Sequence, residues 1–236
     1  MKDELGDRMK SFYENRTKQF LPRRTYTLIR IDGKAFHTYT RGLERPFDEK
    51  LINDMDETAC YICKNVQGAK MAFVQSDEIS ILLTDFEKLG TDAWFDGNIQ
   101  KITSISASLA TAKFNELRPD KIALFDSRAF TIPTKAEVEN YFIWRQQDTV
   151  RNSISSVAQS LFSPKELHGK KTNDMQEMIF QKGTNWNDFE PKKKRGRLIV
   201  KEYYDKKGAK RSRWVSIAPP TFTQEREVLS DLIPEQ

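Results

Sequence analysis

The stretch Thr25-Tyr-Thr-Leu-Ile-Arg-Ile-Asp32-Gly33 decides how this chain folds. It is a short, apolar, β-branched run that ends in an acidic residue and a glycine, which is typical of a strand followed by a turn. A second acidic turn occurs at Gln75-Ser-Asp77-Glu78-Ile-Ser, between strand-like runs at Ala69 to Val74 and Ile79 to Leu83. If the strands that end at Asp32 and begin after Asp77 lie antiparallel, the two aspartates meet at one edge of a sheet.

The order of the predicted elements favours that pairing. Helices are indicated by the spacing of apolar residues, and the first of them, amphipathic, is expected to pack on the body. The predicted elements are helix Lys2 to Lys18, strand Thr25 to Asp32, helix Phe47 to Val66, the two strands around Asp77, helix Trp94 to Leu117 and strand Lys121 to Phe130. This β-α-β-β-α-β order is ferredoxin-like, with the first and third strands adjacent and antiparallel. We therefore predict an α+β fold, with a first domain at residues 1–132.

The pattern changes beyond Pro133. It predicts helices and then a hairpin, namely Lys135 to Ile154, Ser155 to Phe162, Thr172 to Gln181, and strands Leu198 to Tyr204 and Arg213 to Ala218. The tail after Pro219-Pro220 is polar and is expected to be loosely held. We interpret residues 133–236 as a C-terminal helical and basic hairpin extension that packs on the first domain.

Positive charge is concentrated in this extension. The net charge is +5, but Pro191 to Trp214 contains eleven Lys or Arg against two acidic residues, whereas the remaining chain has 28 basic and 32 acidic residues. A mildly acidic body with one strongly basic limb indicates a polyanionic partner. The alternative interpretation is a charged hairpin that is merely solvated.

Several classes of protein are disfavoured by the sequence. No apolar run approaches the length that spans a membrane, and no basic-then-apolar leader is present, so a cytoplasmic protein without membrane contact is expected. Cys60 and Cys63 have the spacing of half a zinc site, but no second pair completes it. We expect both cysteines to be reduced residues on one face of a helix.

Two facing aspartates suit divalent metal ions. Mg²⁺ binds carboxylate and phosphate oxygens, and a pair of such ions can stabilise both the attacking and the leaving oxygen of a phosphoryl or nucleotidyl transfer. Glu78 would then add negative charge without binding the ions, and the backbone of Lys34 to His37 could hold phosphate. The alternative is that Asp-Gly and Ser-Asp are ordinary turn residues. For His37, a packing or capping role is an equal alternative.

Four motifs resemble those of the tRNA-histidine guanylyltransferase superfamily, and they occur in the family's order between about residues 3 and 218. They are Arg30-Ile-Asp32-Gly33-Lys-Ala-Phe36-His37, Gln75-Ser76-Asp77-Glu78, Phe125-Asp126-Ser-Arg128, and Asn185-Trp-Asn187 followed by Lys194-Arg195-Gly196. The resemblance implies a polymerase-palm-like domain that works in the 3′-to-5′ direction. In this reaction the 3′-hydroxyl of an incoming nucleotide attacks an activated 5′ end of tRNA, and pyrophosphate or AMP leaves.

The resemblance also implies roles for individual residues. Asp32, Asp77 and the carbonyl of Gly33 match the ligands of two Mg²⁺ ions, and Glu78 matches a neighbouring acid needed for activity. The expected nucleotide contacts, beyond Asp32, Gly33 and Asp77, are Lys34, Ala35, Phe36, His37, Arg45, Asp48, Ser76 and Lys101. The expected tRNA contacts are Arg128, Asn152, Lys192, Lys193, Lys194 and Arg195. ATP or GTP would activate the 5′ end, and the family suggests a homo-oligomer, possibly a tetramer.

One departure from the family pattern affects the choice of reaction. Members that add guanylate to histidine tRNA have a His-Ile-Asn-Asn-Leu-Tyr-Asn signature, whereas this chain reads Val150-Arg-Asn152-Ser-Ile154-Ser-Ser. This is similar to the Thg1-like proteins of bacteria and archaea, which repair 5′-truncated tRNAs by templated addition. The sequence therefore predicts templated repair, with non-templated guanylate addition, a nucleotidyl cyclase and a non-catalytic RNA-binding module as alternatives.

Overall fold

The computed structural model describes residues 4–236. The strands are β1 Tyr26–Gly33, β2 Ala69–Gln75, β3 Glu78–Leu83, β4 Phe125–Ile132, β5 Arg197–Lys206 and β6 Ala209–Ile217. The helices are α1 Glu4–Phe12, α2 Phe36–Tyr39, α3 Glu49–Asn65, α4 Ile99–Leu117, α5 Lys135–Leu161, α6 Pro164–Leu167, α7 Thr172–Gln181, α8 Pro191–Arg195 and α9 Glu227–Leu232. None of the helices in this part of the chain is both long and apolar enough to cross a membrane.

The strands form one six-stranded sheet in the order β4-β1-β3-β2-β5-β6. Each neighbouring pair is antiparallel, and β1 lies between β4 and β3. The predicted antiparallel sheet, with its first and third strands adjacent, is therefore confirmed. The domain boundary at residue 133 stays a prediction, and the sheet itself continues across it because β5 pairs with β2.

Alternation along β1 assigns its side chains to two covered faces. Ile29 and Ile31 belong to the core formed with α3 and α4. Tyr26 and Leu28 belong to the core formed with α5 and the C-terminal tail. Arg30 and Asp32, at the same parity as Leu28, therefore lie on the face that α5 covers.

The second half of the chain differs from prediction in several places, and its last strand, β6, begins at Ala209 rather than at Arg213. A break was expected between Ile154 and Ser155, but α5 is one helix of 27 residues. Ile154, Val157 and Ala158 continue its buried face at helical spacing, so packing overrides the weak helix propensity of the serines. The tail is not loose, because Phe222 and Leu229 are fully buried and the Gln146 side chain bonds to the backbone of Pro220 and Phe222 at 2.8 Å each.

The first half also shows differences. The start predicted for the first helix, Lys2, lies outside the described residues, and α1 ends at Phe12 rather than continuing to Lys18. Its apolar residues Leu5 and Phe12 are exposed rather than packed on the body. Helices α3 and α4 already cover one face of the sheet, and α5 with the C-terminal tail covers the other. A 3₁₀ turn at Trp94–Gly97 precedes α4, and β4 begins at Phe125 rather than at Lys121.

Candidate active site

Asp32 and Asp77 lie at the same end of the sheet. Asp32 is the register partner of Glu78 across β1 and β3, so Asp77, one residue before β3, is placed beside the end of β1. A Cβ atom on Gly33 would lie 2.9 Å from Asp77 Oδ2 and 2.2 Å from Phe36 Cδ2. The Asp77 carboxylate therefore lies directly against the Gly33 backbone, where only glycine leaves it room.

The turn that carries Asp77 is a two-residue connection between β2 and β3. Ser76, its first residue, has a φ of 46°, a left-handed conformation that is unusual for a residue with a side chain. Burial raises the pKa of Asp77 to about 6, and the charges of Asp32 and Glu78 act in the same direction. Within residues 4–236 no Lys, Arg or His nitrogen lies within 4 Å of either aspartate's carboxylate.

This unbalanced negative charge is the property that a cation would relieve. The two carboxylates and the Gly33 backbone supply hard oxygen donors, which fit Mg²⁺. No group of three or more His, Cys, Asp or Glu in the described chain, this site included, is arranged to hold a metal by side chains alone. Asp32, Asp77 and Gly33 are thus the residues that could hold one, with water or phosphate completing the coordination.

Glu78 is in a different electrostatic environment from the two aspartates. It is 6% exposed, and the Arg145 guanidinium donates to both of its carboxylate oxygens at 2.8 Å. Arg30 Nε lies 3.2 Å from Oε2 of the same carboxylate. Glu78 is therefore neutralised by the protein itself.

In the segment after β1, the backbone amide of Lys34 is already hydrogen-bonded within the protein, although it was a predicted phosphate contact. The Lys34 amide donates to the Leu124 carbonyl at 2.8 Å, so it is not available to phosphate. Ala35 has a φ of 54° and immediately precedes the short helix α2, whose first amides have no acceptor within the helix. The Phe36 ring is buried against Phe114 and Phe125, whereas His37 is exposed.

An open cleft of about 520 Å³ extends from the two aspartates. Eight of the predicted site residues border this cleft, namely Asp32, Asp48, Ser76, Asp77, Glu78, Asn152, Lys192 and Lys193. Asp48 also caps α3, because its carboxylate accepts the Leu51 amide at 2.7 Å. The cleft therefore connects the aspartates of the sheet edge to α5 and to the basic helix α8.

The basic residues of α8 are not equivalent. Lys192 and Lys193 both form ion pairs with Glu49 of α3. Lys194 is only 6% exposed, donates to the Asn187 carbonyl at 2.5 Å and lies over the Trp186 ring, and burial lowers its pKa. This burial does not favour the expectation that Lys194 contacts tRNA, which stays a prediction, and Arg195 beside it is half-buried.

The exposed positive charge lies on the β5–β6 hairpin instead. Its lysines and arginines from Lys201 to Arg213 are all exposed. Only one ion pair crosses this part of the hairpin, from Arg213 to Glu202, among the residues described. This limb offers the surface for a polyanion that the charge distribution predicts.

Other predicted contacts do not line the cleft of the described chain, namely residues 33–37 after β1 and the basic residues Arg45, Lys101 and Arg128. Arg45 is exposed in the segment before α3, and Arg128 is half-exposed on β4, 3.8 Å from Asp126. Lys101 is in the first turn of α4 beside Ile102, which borders a small cavity at the opposite end of β1 from Asp32. The structure does not bring Lys101 together with the two aspartates.

Arg145 is the main residue of this site that the sequence did not identify. It lies in the segment Trp144-Arg-Gln-Gln-Asp148 on the buried face of α5 and borders the cleft. An arginine at a core position of a helix signals a buried carboxylate partner, since charged residues are rarely buried unpaired. That signal was available in the sequence, but it does not say which carboxylate is the partner.

Comparison with known proteins identifies the family. The family model described as "Thg1: tRNAHis guanylyltransferase" matches residues 6–133. Structures of bacterial tRNA(His) guanylyltransferase (Thg1)-like proteins in complex with GTP and with ATP are 47% and 48% identical to this chain, with TM-scores of 0.87 and 0.86. The superpositions cover 98% and 97% of this chain and 99% of each of those chains.

A more distant relative agrees with this result. The tRNA(His) guanylyltransferase of Eremothecium gossypii is 31% identical, over 74% of this chain and 82% of its own length. The family model alone spans more than half of the 236 residues. The chain therefore belongs to the tRNAHis guanylyltransferase (Thg1) family, and it is a nucleotidyltransferase.

Proposed function

We propose that this protein is a Mg²⁺-dependent 3′-to-5′ nucleotidyltransferase that extends the 5′ end of tRNA, with the opposite acceptor strand as template. The observation that carries the proposal is the Asp32–Asp77 pair, placed against Gly33 at the mouth of a 520 Å³ cleft, with no Lys, Arg or His nitrogen of residues 4–236 within 4 Å of either carboxylate. The similar bacterial proteins with bound GTP and ATP support nucleotide as the ligand of this cleft.

Each part of the site has a distinct task in this proposal. Asp32, Asp77 and Gly33 would hold Mg²⁺, which neutralises phosphate charge as the 3′-hydroxyl of the incoming nucleotide attacks the activated 5′ end. The first amides of α2, at Phe36 and His37, bind triphosphate oxygens. Catalysis then depends on position and charge rather than on a protein nucleophile.

The hairpin and α8 supply the RNA-binding surface. Exposed lysines and arginines of β5 and β6 bind phosphates of the tRNA backbone and orient its 5′ end toward the cleft. Lys192 and Lys193 border the cleft itself and exchange part of their pairing with Glu49 for phosphate. Lys194 has no such role, because its ammonium is covered by Trp186 and Asn187.

Templated addition is favoured over guanylate addition by the sequence at Val150 to Ser156, which lacks the histidine of the signature. In the structure this segment lies on α5 beside the cleft, where Asn152, Ser153, Ser155 and Ser156 line the wall. These short polar side chains leave the choice of nucleotide to base pairing with the opposite strand.

The test uses 5′-triphosphorylated tRNA that lacks its first nucleotide, with Mg²⁺ and each NTP supplied separately. Four substrates carry A, C, G or U at the opposing template position. Addition of only the complementary nucleotide to each substrate is the expected result. Addition of guanylate to all four would contradict templating and favour the histidine-tRNA reaction, and no addition to any would contradict the enzyme activity proposed for this site.

A further inference from the structure

The turn that carries Asp77 is anchored at both ends by one helix. Arg145 of α5 binds Glu78, the residue after Asp77, through two hydrogen bonds of 2.8 Å. One helical turn later, the Thr149 hydroxyl donates to the side chain of Gln75, the residue before Ser76. Because residues four apart lie on the same face of a helix, α5 holds the two-residue turn Ser76-Asp77 from both sides.

The Glu78 carboxylate is fully engaged in this arrangement. Oε1 accepts from Arg145 Nε and from Ser80 Oγ at 3.3 Å, and Oε2 accepts from Arg145 Nη2 and lies 3.2 Å from Arg30 Nε. Glu78 is also almost completely buried. A carboxylate in this state is a poor metal ligand and a poor base, because either role would require it to leave a bidentate arginine.

Arg145 is itself held in place. It is 4% exposed, its Nη2 also donates to Asp148 at 2.9 Å, and its guanidinium lies over the Trp144 ring at 4.4 Å. Planar bidentate pairing combined with stacking is a geometry that lysine cannot reproduce. The position of Glu78, and with it the start of β3, is therefore set by a rigid group on α5.

We propose that Arg145 is a positioning residue for nucleotide addition, which acts through Glu78 to fix Asp77 at the distance from Asp32 that the reaction requires. Glu78 serves the reaction through Arg145 and does not touch the substrate. Thr149 secures the other end of the turn. This inference rests on the proposed function, since it assigns a task within the same site.

A double-mutant cycle tests whether Glu78 acts only through Arg145. The rate of nucleotide addition, as kcat/KM, is measured for Glu78→Gln, Arg145→Gln and the variant with both changes. Each single change is expected to lower kcat/KM by about 100-fold, the effect of a displacement near 1 Å. The double variant is expected to lie within about threefold of the worse single variant, because the second change removes an interaction already lost.

Losses that multiply, to about 10⁴-fold in the double variant, would overturn the inference, because Glu78 would then act on the reaction independently of Arg145. Arg145→Lys keeps the charge and should recover little activity, since it cannot form the bidentate pair. Full activity of Arg145→Lys would likewise contradict the inference.

A matched control distinguishes an effect on the reaction from a loss of stability alone. Glu139 is a buried carboxylate on the same helix, paired with Arg226 and remote from the turn. Glu139→Gln should lower the melting temperature as the Arg145 variants do, but it should leave unchanged the Mg²⁺ concentration that gives half the maximal rate. The Glu78 and Arg145 variants should require more Mg²⁺. Equal Mg²⁺ dependence in all variants would reduce Arg145 to a purely structural role.

Thr149→Val keeps the inference testable if the Arg145 variants fail to fold. Valine has the shape of threonine without the hydroxyl, so this change removes the Gln75 anchor together with the hydroxyl's contact to the Arg145 carbonyl within the same helix, and it leaves the Arg145–Glu78 pair in place. A raised Mg²⁺ requirement with about a fivefold lower kcat is expected, since one hydrogen bond contributes about 1 kcal/mol. Wild-type Mg²⁺ dependence in this variant would contradict the anchored turn. If the wild-type protein adds no nucleotide at all, the proposed function fails instead.

Discussion

Asp32 of β1 and Glu78 of β3 are direct partners in the antiparallel register. This pairing brings two distant parts of the sequence to one sheet edge, where the acidic residues lie in two different environments. Asp32 and the adjacent Asp77 border the cleft and form no ion pair with any residue of the described chain, whereas Glu78 is neutralised by Arg145. One pair of carboxylates at this edge is therefore left for the cation that we propose, and the third carboxylate fixes the start of β3 against α5.

Gly33→Ala should lower nucleotide addition strongly while leaving the fold intact. The added methyl group would meet Phe36 at 2.2 Å and Asp77 Oδ2 at 2.9 Å, so the aspartate or α2 must move. Overpacking of this kind destabilises a protein by about 1–3 kcal/mol. Addition rate and urea unfolding are measured in parallel with Gly90→Ala, whose methyl group meets nothing within 4 Å. Wild-type activity in Gly33→Ala would contradict the close approach of Asp77.

The stability of the metal-free protein should depend on pH through Asp77. Its pKa is about 6 in the folded protein and near 3.8 when unfolded, so the folded state binds more protons between these values. The free energy of unfolding should therefore fall as pH rises from about 4 to about 6, by about 2–3 kcal/mol.

Asp77→Asn should abolish that contribution and be the more stable protein above about pH 6. Urea unfolding of both proteins in a chelator, across this pH range, gives the comparison. Parallel stability profiles would show that Asp77 is not in the buried, like-charged environment described above.

Exposed lysines of the hairpin should determine the salt dependence of tRNA binding. Replacing Lys207 and Lys210 by Gln should reduce the slope of log K against log salt by about 1.4–1.8, because each phosphate contact releases counterions. Lys64→Gln with Lys88→Gln is the control, since both lysines are exposed outside the hairpin and the cleft. An equal slope in the hairpin variant and the control would leave the hairpin as a solvated charged surface.

Phe222→Ala should destabilise the whole protein, because the tail is part of the core. Phe222 is 0% exposed and packs 5.9 Å from the Phe73 ring of β2. Loss of a buried phenylalanine costs about 3–5 kcal/mol. Phe180, which is exposed, is the control, and its change to Ala should alter the free energy of unfolding by less than about 0.5 kcal/mol. A similar small effect for Phe222→Ala would mean that the tail is detached.

Much of the fold followed from the sequence because the order of elements limits the topology. The placement of Asp32 near Asp77 needed only the ferredoxin-like order and the ends of two strands. The continuity of α5 was missed because Ser153 to Ser156 lowers local helix propensity, whereas the buried positions beyond Ile154 depend on packing with α7 and the Trp186 turn. Propensity is local, and that packing is not.

The roles of single charged residues were harder to predict. Lys194 stands in a run of four basic residues, and nothing in the sequence separates it from Lys192 and Lys193. Its burial follows from the turn at Trp186, whose ring covers the ammonium. The partnership of Arg145 with Glu78 likewise depends on the angle at which α5 crosses the sheet, and periodicity does not determine that angle.

The most direct test of the account is nucleotide addition by Asp77→Asn, with tRNA binding measured on the same sample. The substrate is 5′-triphosphorylated tRNA lacking its first nucleotide, and Asp32→Asn is assayed beside it. We predict that addition falls at least about 100-fold in each variant, because several kcal/mol of charge stabilisation is lost, while tRNA affinity stays within about twofold because the hairpin is unchanged. Addition at the wild-type rate in either variant would contradict the assignment of the two aspartates as the centre of the reaction.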